Sequence, residues 1–129
     1  MKSKINKKID YSIIIPVYQN EGSLTETFHT IKTNVIDKNH QYSSELIFID
    51  DGSTDKSFQI MYALYEAYPE LIVIVKLTRN FGTYPAIIAG YEKARGECLI
   101  NISADMQDPP ELINDMLNFH FNNNYNIVI

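Results

Sequence analysis

The chain has 129 residues, enough for one domain with its own core, and its 45% hydrophobic and 21% charged residues are those of an ordinary globular protein. A net charge of −5 and a pI near 5.1 argue against nonspecific nucleic-acid binding. The single cysteine excludes an internal disulfide, and no apolar run approaches the ~20 residues of a membrane-spanning helix.

Residues 1–9 read as a basic tail, with Lys2, Lys4, Lys7 and Lys8 solvated rather than bound to lipid. Tyr11-Ser12-Ile13-Ile14-Ile15 is a β-branched run expected to form a strand buried on both faces and stopped by Pro16. Ser23 is placed to cap a helix reaching about Val35, with Leu24, Phe28, Ile31 and Val35 at helical spacing. Glu45 to Ile49 is the second strand, and Asp50-Asp51-Gly52 follows it. Ser53 or Thr54 is expected to cap the next helix, whose apolar face includes Phe58, Met61, Leu64 and Tyr65. Leu71 to Val75 is the third strand. Tyr84 to about Ala94 is a helix closed by Gly96 in a left-handed cap position. Cys98 to Ile102 is the fourth strand, with Cys98 a packed core thiol, and Glu111 to about Phe121 a helix. Asn126-Ile127-Val128-Ile129 begins another strand. An unpartnered strand edge is unusual at a domain's end, so residues 10–129 are expected to be part of a longer domain.

Strands separated by single helices predict an α/β, Rossmann-like fold: a mostly parallel sheet with helices on both faces. Ligands of such sheets bind beyond the carboxyl ends of the strands, where the strand order reverses. Four polar clusters each follow a strand: 16–21, 50–55, 78–82 and 103–108. Their coincidence on one sheet edge points to a binding site more strongly than any one of them does.

The chemistry of those clusters is specific. Two carboxylates, Asp50 and Asp51, precede a helix N-terminus, where capping alone needs only one such residue. Arg79 can neutralise a phosphate or a carboxylate, and Gly82 permits close backbone approach. Asp105 and Gln107 are hard oxygen donors suited to Mg²⁺ or Mn²⁺, ions that commonly accompany phosphates. Asp108 and Glu111 also suit the first turn of the following helix. Tyr18 lies where it can flank a base. No P-loop or dinucleotide glycine fingerprint is present, and His29, His40 and His120 lack the paired spacing of a zinc site.

Ile14-Ile15-Pro16-Val17-Tyr18-Gln19-Asn20-Glu21, Ile49-Asp50-Asp51-Gly52-Ser53-Thr54-Asp55, Arg79-Asn80-Phe81-Gly82 and Asp105-Met106-Gln107-Asp108-Pro109-Pro110-Glu111 carry a family resemblance. In order and spacing they resemble the family 2 inverting glycosyltransferases of GT-A fold, especially the branch of dolichol-phosphate mannose synthases and bacterial polyprenyl-phosphate sugar transferases. The resemblance implies that residues 10–129 are the nucleotide-sugar-binding part of such an enzyme. Pro16, Tyr18 and Glu21 would line the nucleoside pocket, and Asp51 with Asp50 would read the base. Arg79 and Gly82 would border a UDP- or GDP-linked donor, and Asp105 with Gln107 would hold the divalent ion. It implies a lipid-phosphate or glycan acceptor, catalytic residues beyond Ile129, and a place in the cytoplasm or at the cytoplasmic face of a membrane. Where the family commonly has Asp, this chain has Ser103. A non-catalytic nucleotide- or metal-binding module on the same doubly wound scaffold is the alternative.

Overall fold

The computed structural model describes residues 8–105 and 109–123. Its elements are β1 (Tyr11–Val17), α1 (Leu24–Ile31), β2 (Ser44–Asp50), α2 (Ser57–Ala67), β3 (Ile72–Lys76), α3 (Thr83–Lys93), β4 (Cys98–Asn101) and α4 (Pro110–Asn123). The four strands form one sheet in the order β3-β2-β1-β4, and every pair is parallel. The expected strand at 126–129 and most of the basic tail lie outside the described residues.

Helices cover both faces, as the alternation of strand and helix requires. On one face Phe28 of α1, Met61 of α2, and Ile113 and Leu117 of α4 pack with Ile13, Ile15, Leu46 and Phe48 of the sheet. On the other, Ala86 of α3 packs with Ile14, Ile47 and Ile49. Successive strand residues point to opposite faces, so β1 and β2 feed both cores and read as uninterrupted apolar runs.

Several local expectations need correction. Pro16 does not stop β1 but lies within it, opposite Ile49. The carbonyl of Ile14 accepts from Ile102 N–H on the β4 side, and residues two apart in a strand face the same neighbour. Pro16 therefore turns its missing N–H toward the side where β4 has already ended, and no ladder bond is lost. The first helix runs on past α1 through a widened π turn, Lys32–Ile36, and a 3-10 turn, Asp37–Asn39. The carbonyls of Asn34 and Val35 there accept from the side-chain amides of Asn114 (3.0 Å) and Asn39 (2.7 Å), which fastens this segment to α4. Neither Ser53 nor Thr54 caps α2. That helix begins later, and Asp55 Oδ1 accepts from Ser57 N–H at 2.9 Å. Tyr65 is exposed rather than part of the core.

Gly96 is not a left-handed cap, since the described glycines with positive φ are Gly52 and Gly82. It is small because β1 passes against it: an added Cβ would sit 2.6 Å from Ser12 N. Its N–H donates to Ser12 Oγ at 2.9 Å, and that hydroxyl donates to the buried Glu45 carboxylate at 2.7 Å. Arg95 completes this lock with its backbone N–H and guanidinium on Glu45. The lock holds the starts of β1 and β2, leaving the opposite sheet edge free of structural ion pairs other than Lys76–Asp50 among the described strand residues.

Candidate functional site

The chain moves outward from β1 to β2 to β3 and then returns to place β4 on the other side of β1. The reversal lies between β1 and β4. A cleft of about 520 Å³ opens there, walled by Pro16, Tyr18, Asp51, Thr83, Asn101 and Ser103 among others. Pro16, Tyr18 and Asp51 are thus brought together as expected. Glu21, Asp50, Arg79, Gly82 and Asp105 are not among its lining residues. Gln107 and Asp108 lie outside the described residues. A larger groove of about 650 Å³ follows the outer edge of β3, between Phe58, Tyr62, Ile72 and Lys76. None of the described residues of the four strand-end clusters lines it, so the smaller cleft is the better site.

The loops after β1 and β2 are buttoned together by polar contacts. Gln19 N–H donates to Ser53 Oγ (3.0 Å), Asn20 N–H to Ser57 Oγ (2.8 Å) and Glu21 N–H to Asp55 Oδ2 (3.2 Å). In return Gln19 Oε1 accepts from the N–H groups of Thr54 (2.6 Å) and Asp55 (3.2 Å). Burial raises the Asp55 pKa, but hydrogen bonds from the Ser57 hydroxyl and N–H, from Glu21 N–H and from its own N–H outweigh it and hold the carboxyl below its usual range.

The adjacent carboxylates differ in their work. Asp50 is fully buried; its Oδ1 accepts from Ser53 N–H at 3.0 Å and its Oδ2 pairs with Lys76 at 3.3 Å. It shapes the turn and does not face the cleft. Asp51, 3% exposed, faces the cleft and also holds the loop after β3. Its Oδ2 accepts from Asn80 Nδ2 and Gly82 N–H, both at 3.0 Å, and its Oδ1 from Phe81 N–H at 2.7 Å. A carboxylate offers about four lone-pair positions. Three are used, and the open one is on Oδ1.

Gly52 makes this docking possible. With φ at 76° it occupies the left-handed region, and an added Cβ would lie 2.4 Å from Asn80 N. Gly82, at φ 110°, turns the same loop into α3. Arg79 is exposed, with its guanidinium over the Phe81 ring at 4.0 Å. The motifs at 50–55 and 79–82 are therefore one structural unit.

Beyond β4, the Ser103 hydroxyl donates to Asp105 Oδ1 at 2.5 Å, and Asp105 is open to solvent. The loop is anchored by its middle residue: the Ala104 carbonyl accepts from Thr27 Oγ1 (2.7 Å) and Ser23 Oγ (3.2 Å). Ser23, expected as a helix cap, makes no side-chain cap bond and is used here instead. Thr27→Val keeps the shape of this buried side chain and removes its donor. It is expected to lower stability by about 1 kcal/mol, read as a shift of the urea midpoint at constant slope. An unchanged midpoint would show that Thr27 does not hold the loop.

Gln19 as a connector and Thr83 and Asn101 as walls were not evident from the sequence. Thr83 and Asn101 are element-terminal residues whose only signal is their place at the strand-end edge. Gln19 had a stronger one, since it lies inside the 14–21 motif, but glutamine has no particular preference for such turns.

Comparison with known proteins decides the family. The model of glycosyl transferase family 2 matches residues 12–129. The chain belongs to that family. Among its curated relatives is the undecaprenyl-phosphate 4-deoxy-4-formamido-L-arabinose transferase of Pseudomonas aeruginosa, 38% identical over 102 residues, 79% of this chain and 30% of that protein. The chain spans about a third of the length of the curated relatives it matches. S. aureus TarS 1-349, solved with UDP, superposes with a TM-score of 0.70 at 24% identity, over 87% of this chain and 32% of that one. GalNAc-T7, solved with UDP, GalNAc and Mn²⁺, gives 0.62 at 26% identity, over 77% and 18%. The fold of this family 2 chain is thus the GT-A fold of glycosyltransferases.

The donor set fits a divalent ion shared with a ligand. Among the described residues no group of three or more His, Cys, Asp or Glu side chains could hold a metal by itself. Asp105 and Ser103 supply hard oxygens of the kind Mg²⁺ and Mn²⁺ take, and those ions keep sites open to waters and phosphates. Among the described residues no helix is long and apolar enough to cross a membrane.

Proposed function

We propose that this protein is an inverting glycosyltransferase that takes a sugar from a UDP- or GDP-linked donor and delivers it to a polyprenyl phosphate or a glycan, at the cytoplasmic face of a membrane where the acceptor is lipid-linked. The observation that carries the reading is the cleft at the β1/β4 reversal, which gathers Pro16, Tyr18, Asp51 and Ser103 from three strand-end clusters. Family membership supports it, as does the polyprenyl-phosphate chemistry named for the curated relative.

Each residue then has a task. Tyr18, half exposed on the cleft wall, lies flat against the base, with Pro16 beside it on the wall and Glu21 following in the same loop. Asp51 offers its open Oδ1 position to a base N–H, and Asp50 keeps the turn that presents it. Arg79 and Gly82 border the donor, with the exposed Arg79 guanidinium as a cation for its negative charge. Asp105, with Gln107, would hold Mg²⁺ or Mn²⁺, and Ser103 contributes its hydroxyl or a water held by it. Such an ion, once bound, supplies Lewis-acid stabilisation to the departing diphosphate. An acceptor oxygen attacks the anomeric carbon from the face opposite the diphosphate; a lipid-phosphate oxygen attacks as the anion, whereas a glycan hydroxyl gives its proton to a general base. The new C–O bond forms as the bond to the diphosphate breaks, and the configuration inverts.

The direct test is nucleoside diphosphate release by the full-length protein from UDP- and GDP-sugars, with Mn²⁺ or Mg²⁺ and with or without polyprenyl phosphate. Release that depends on both acceptor and metal is expected. Nucleotide binding with no release from any donor would overturn this reading in favour of a binding module.

A further inference from the structure

We infer that Gln19 is the positioning residue for the nucleoside side of the cleft, acting through Tyr18 and the 53–55 segment rather than by touching ligand; the inference rests on the donor reading above. Gln19 has φ 55°, the one positive φ among the described non-glycine residues. Left-handed backbone is unfavourable for such a residue and persists only when surrounding contacts hold it. Here they are visible. Gln19 N–H donates to Ser53 Oγ at 3.0 Å. Its side-chain oxygen accepts from Thr54 N–H at 2.6 Å, Asp55 N–H at 3.2 Å and Thr54 Oγ1 at 3.3 Å.

Glycine or asparagine would meet the backbone requirement alone more easily. What glutamine adds is reach: its amide crosses to the segment before α2 and satisfies N–H groups there. The reversal at Gln19 follows directly on Tyr18, whose N–H is tied to Asn20 Oδ1 at 2.9 Å. Tyr18 lines the cleft, 47% exposed, whereas Gln19 is not among the lining residues. Gln19 thus fixes where the tyrosine ring stands relative to Asp51, which the next loop carries. A contact to the nucleoside is the same in the ground and transition states. Its loss raises the donor KM and leaves kcat unchanged.

The test uses full-length protein with three measurements: the Kd of UDP and of GDP with Mn²⁺, amide exchange at Thr54 and Asp55, and donor KM and kcat. Gln19→Gly keeps the backbone geometry and removes the anchor. Gln19→Glu keeps an acceptor of the same length. Gln19→Gly is expected to weaken nucleotide binding about tenfold, the affinity equivalent of about one net hydrogen bond. It should also speed exchange at Thr54 and Asp55 and raise KM at constant kcat. Gln19→Glu should restore affinity and protection to within about twofold, a margin well under one net hydrogen bond. Wild-type affinity in Gln19→Gly, or equal losses in both variants, would overturn the assigned role while leaving the donor reading intact. A wild-type protein that binds neither nucleotide overturns the donor reading, and the role of Gln19 falls with it.

Discussion

Asp51→Ala is expected to abolish measurable nucleotide binding, by a factor of about 100 or more, and to cost the fold about 2–4 kcal/mol. The two losses share one cause. The Asp51 carboxylate is buried and accepts from Phe81 N–H, Gly82 N–H and Asn80 Nδ2. Hydrogen bonds to a charged acceptor contribute about 1.5–3 kcal/mol each, but the loop can relax toward water once released, so the sum overstates the effect. Gly52 brings the loop backbone so close that the carboxylate is its natural anchor. Without it the 79–82 wall moves, and the open Oδ1 position for a base is gone as well. Urea denaturation and calorimetric titration of UDP and GDP on the same variant check both halves. Asp51→Asn should fall between, since it keeps one acceptor oxygen and loses the charge. Wild-type stability in Asp51→Ala would show that the loop is not held this way.

Asp105→Ala is expected to behave in the opposite manner. The side chain is exposed and its hydrogen bond is to the neighbouring Ser103, so stability should stay within about 0.5 kcal/mol of wild type. Its loss removes the described charged ligand of the proposed ion. Metal-stimulated nucleotide binding and turnover should both fall about 100-fold or more, the scale of losing one key electrostatic partner in a transition state. Metal-free nucleotide binding should be little changed. Titrating Mn²⁺ at fixed UDP or GDP separates these quantities. A variant that still responds to Mn²⁺ like wild type would move the metal away from Asp105.

The contrast between these carboxylates was only partly legible in the sequence. The parallel sheet, its two covered faces and the strand-end clusters followed from apolar runs alternating with helical spacing, because burial on both faces leaves a strand little freedom in composition. Pro16 misled, since whether a proline ends a strand depends on where the neighbouring strand stops, which is a tertiary fact. Gly96 misled for a similar reason: a glycine after a helix signals a left-handed cap, yet here the demand was room for β1.

Tyr18 and Asp51, singled out in strand-end clusters, both line the cleft. That Asp50 would turn into the structure while Asp51 faced the cleft could not be read from two adjacent identical residues. Their division depends on Lys76 and on the loop 79–82, about thirty residues away. The hydrogen bond from Ser103 to Asp105 was likewise hidden. The sequence marked Ser103 as a departure from the family's usual Asp, and the structure shows its hydroxyl directed at the remaining carboxylate.

A nucleotide-sugar diphosphate and its metal are proposed to meet at the β1/β4 cleft. Manganese anomalous scattering from crystals of the full-length protein grown with UDP or GDP tests it most directly. A single strong peak is expected, bonded to an Asp105 carboxylate oxygen and to the diphosphate, with the base between Tyr18 and Asp51. A peak held by other residues, or nucleotide bound outside that cleft, would contradict it.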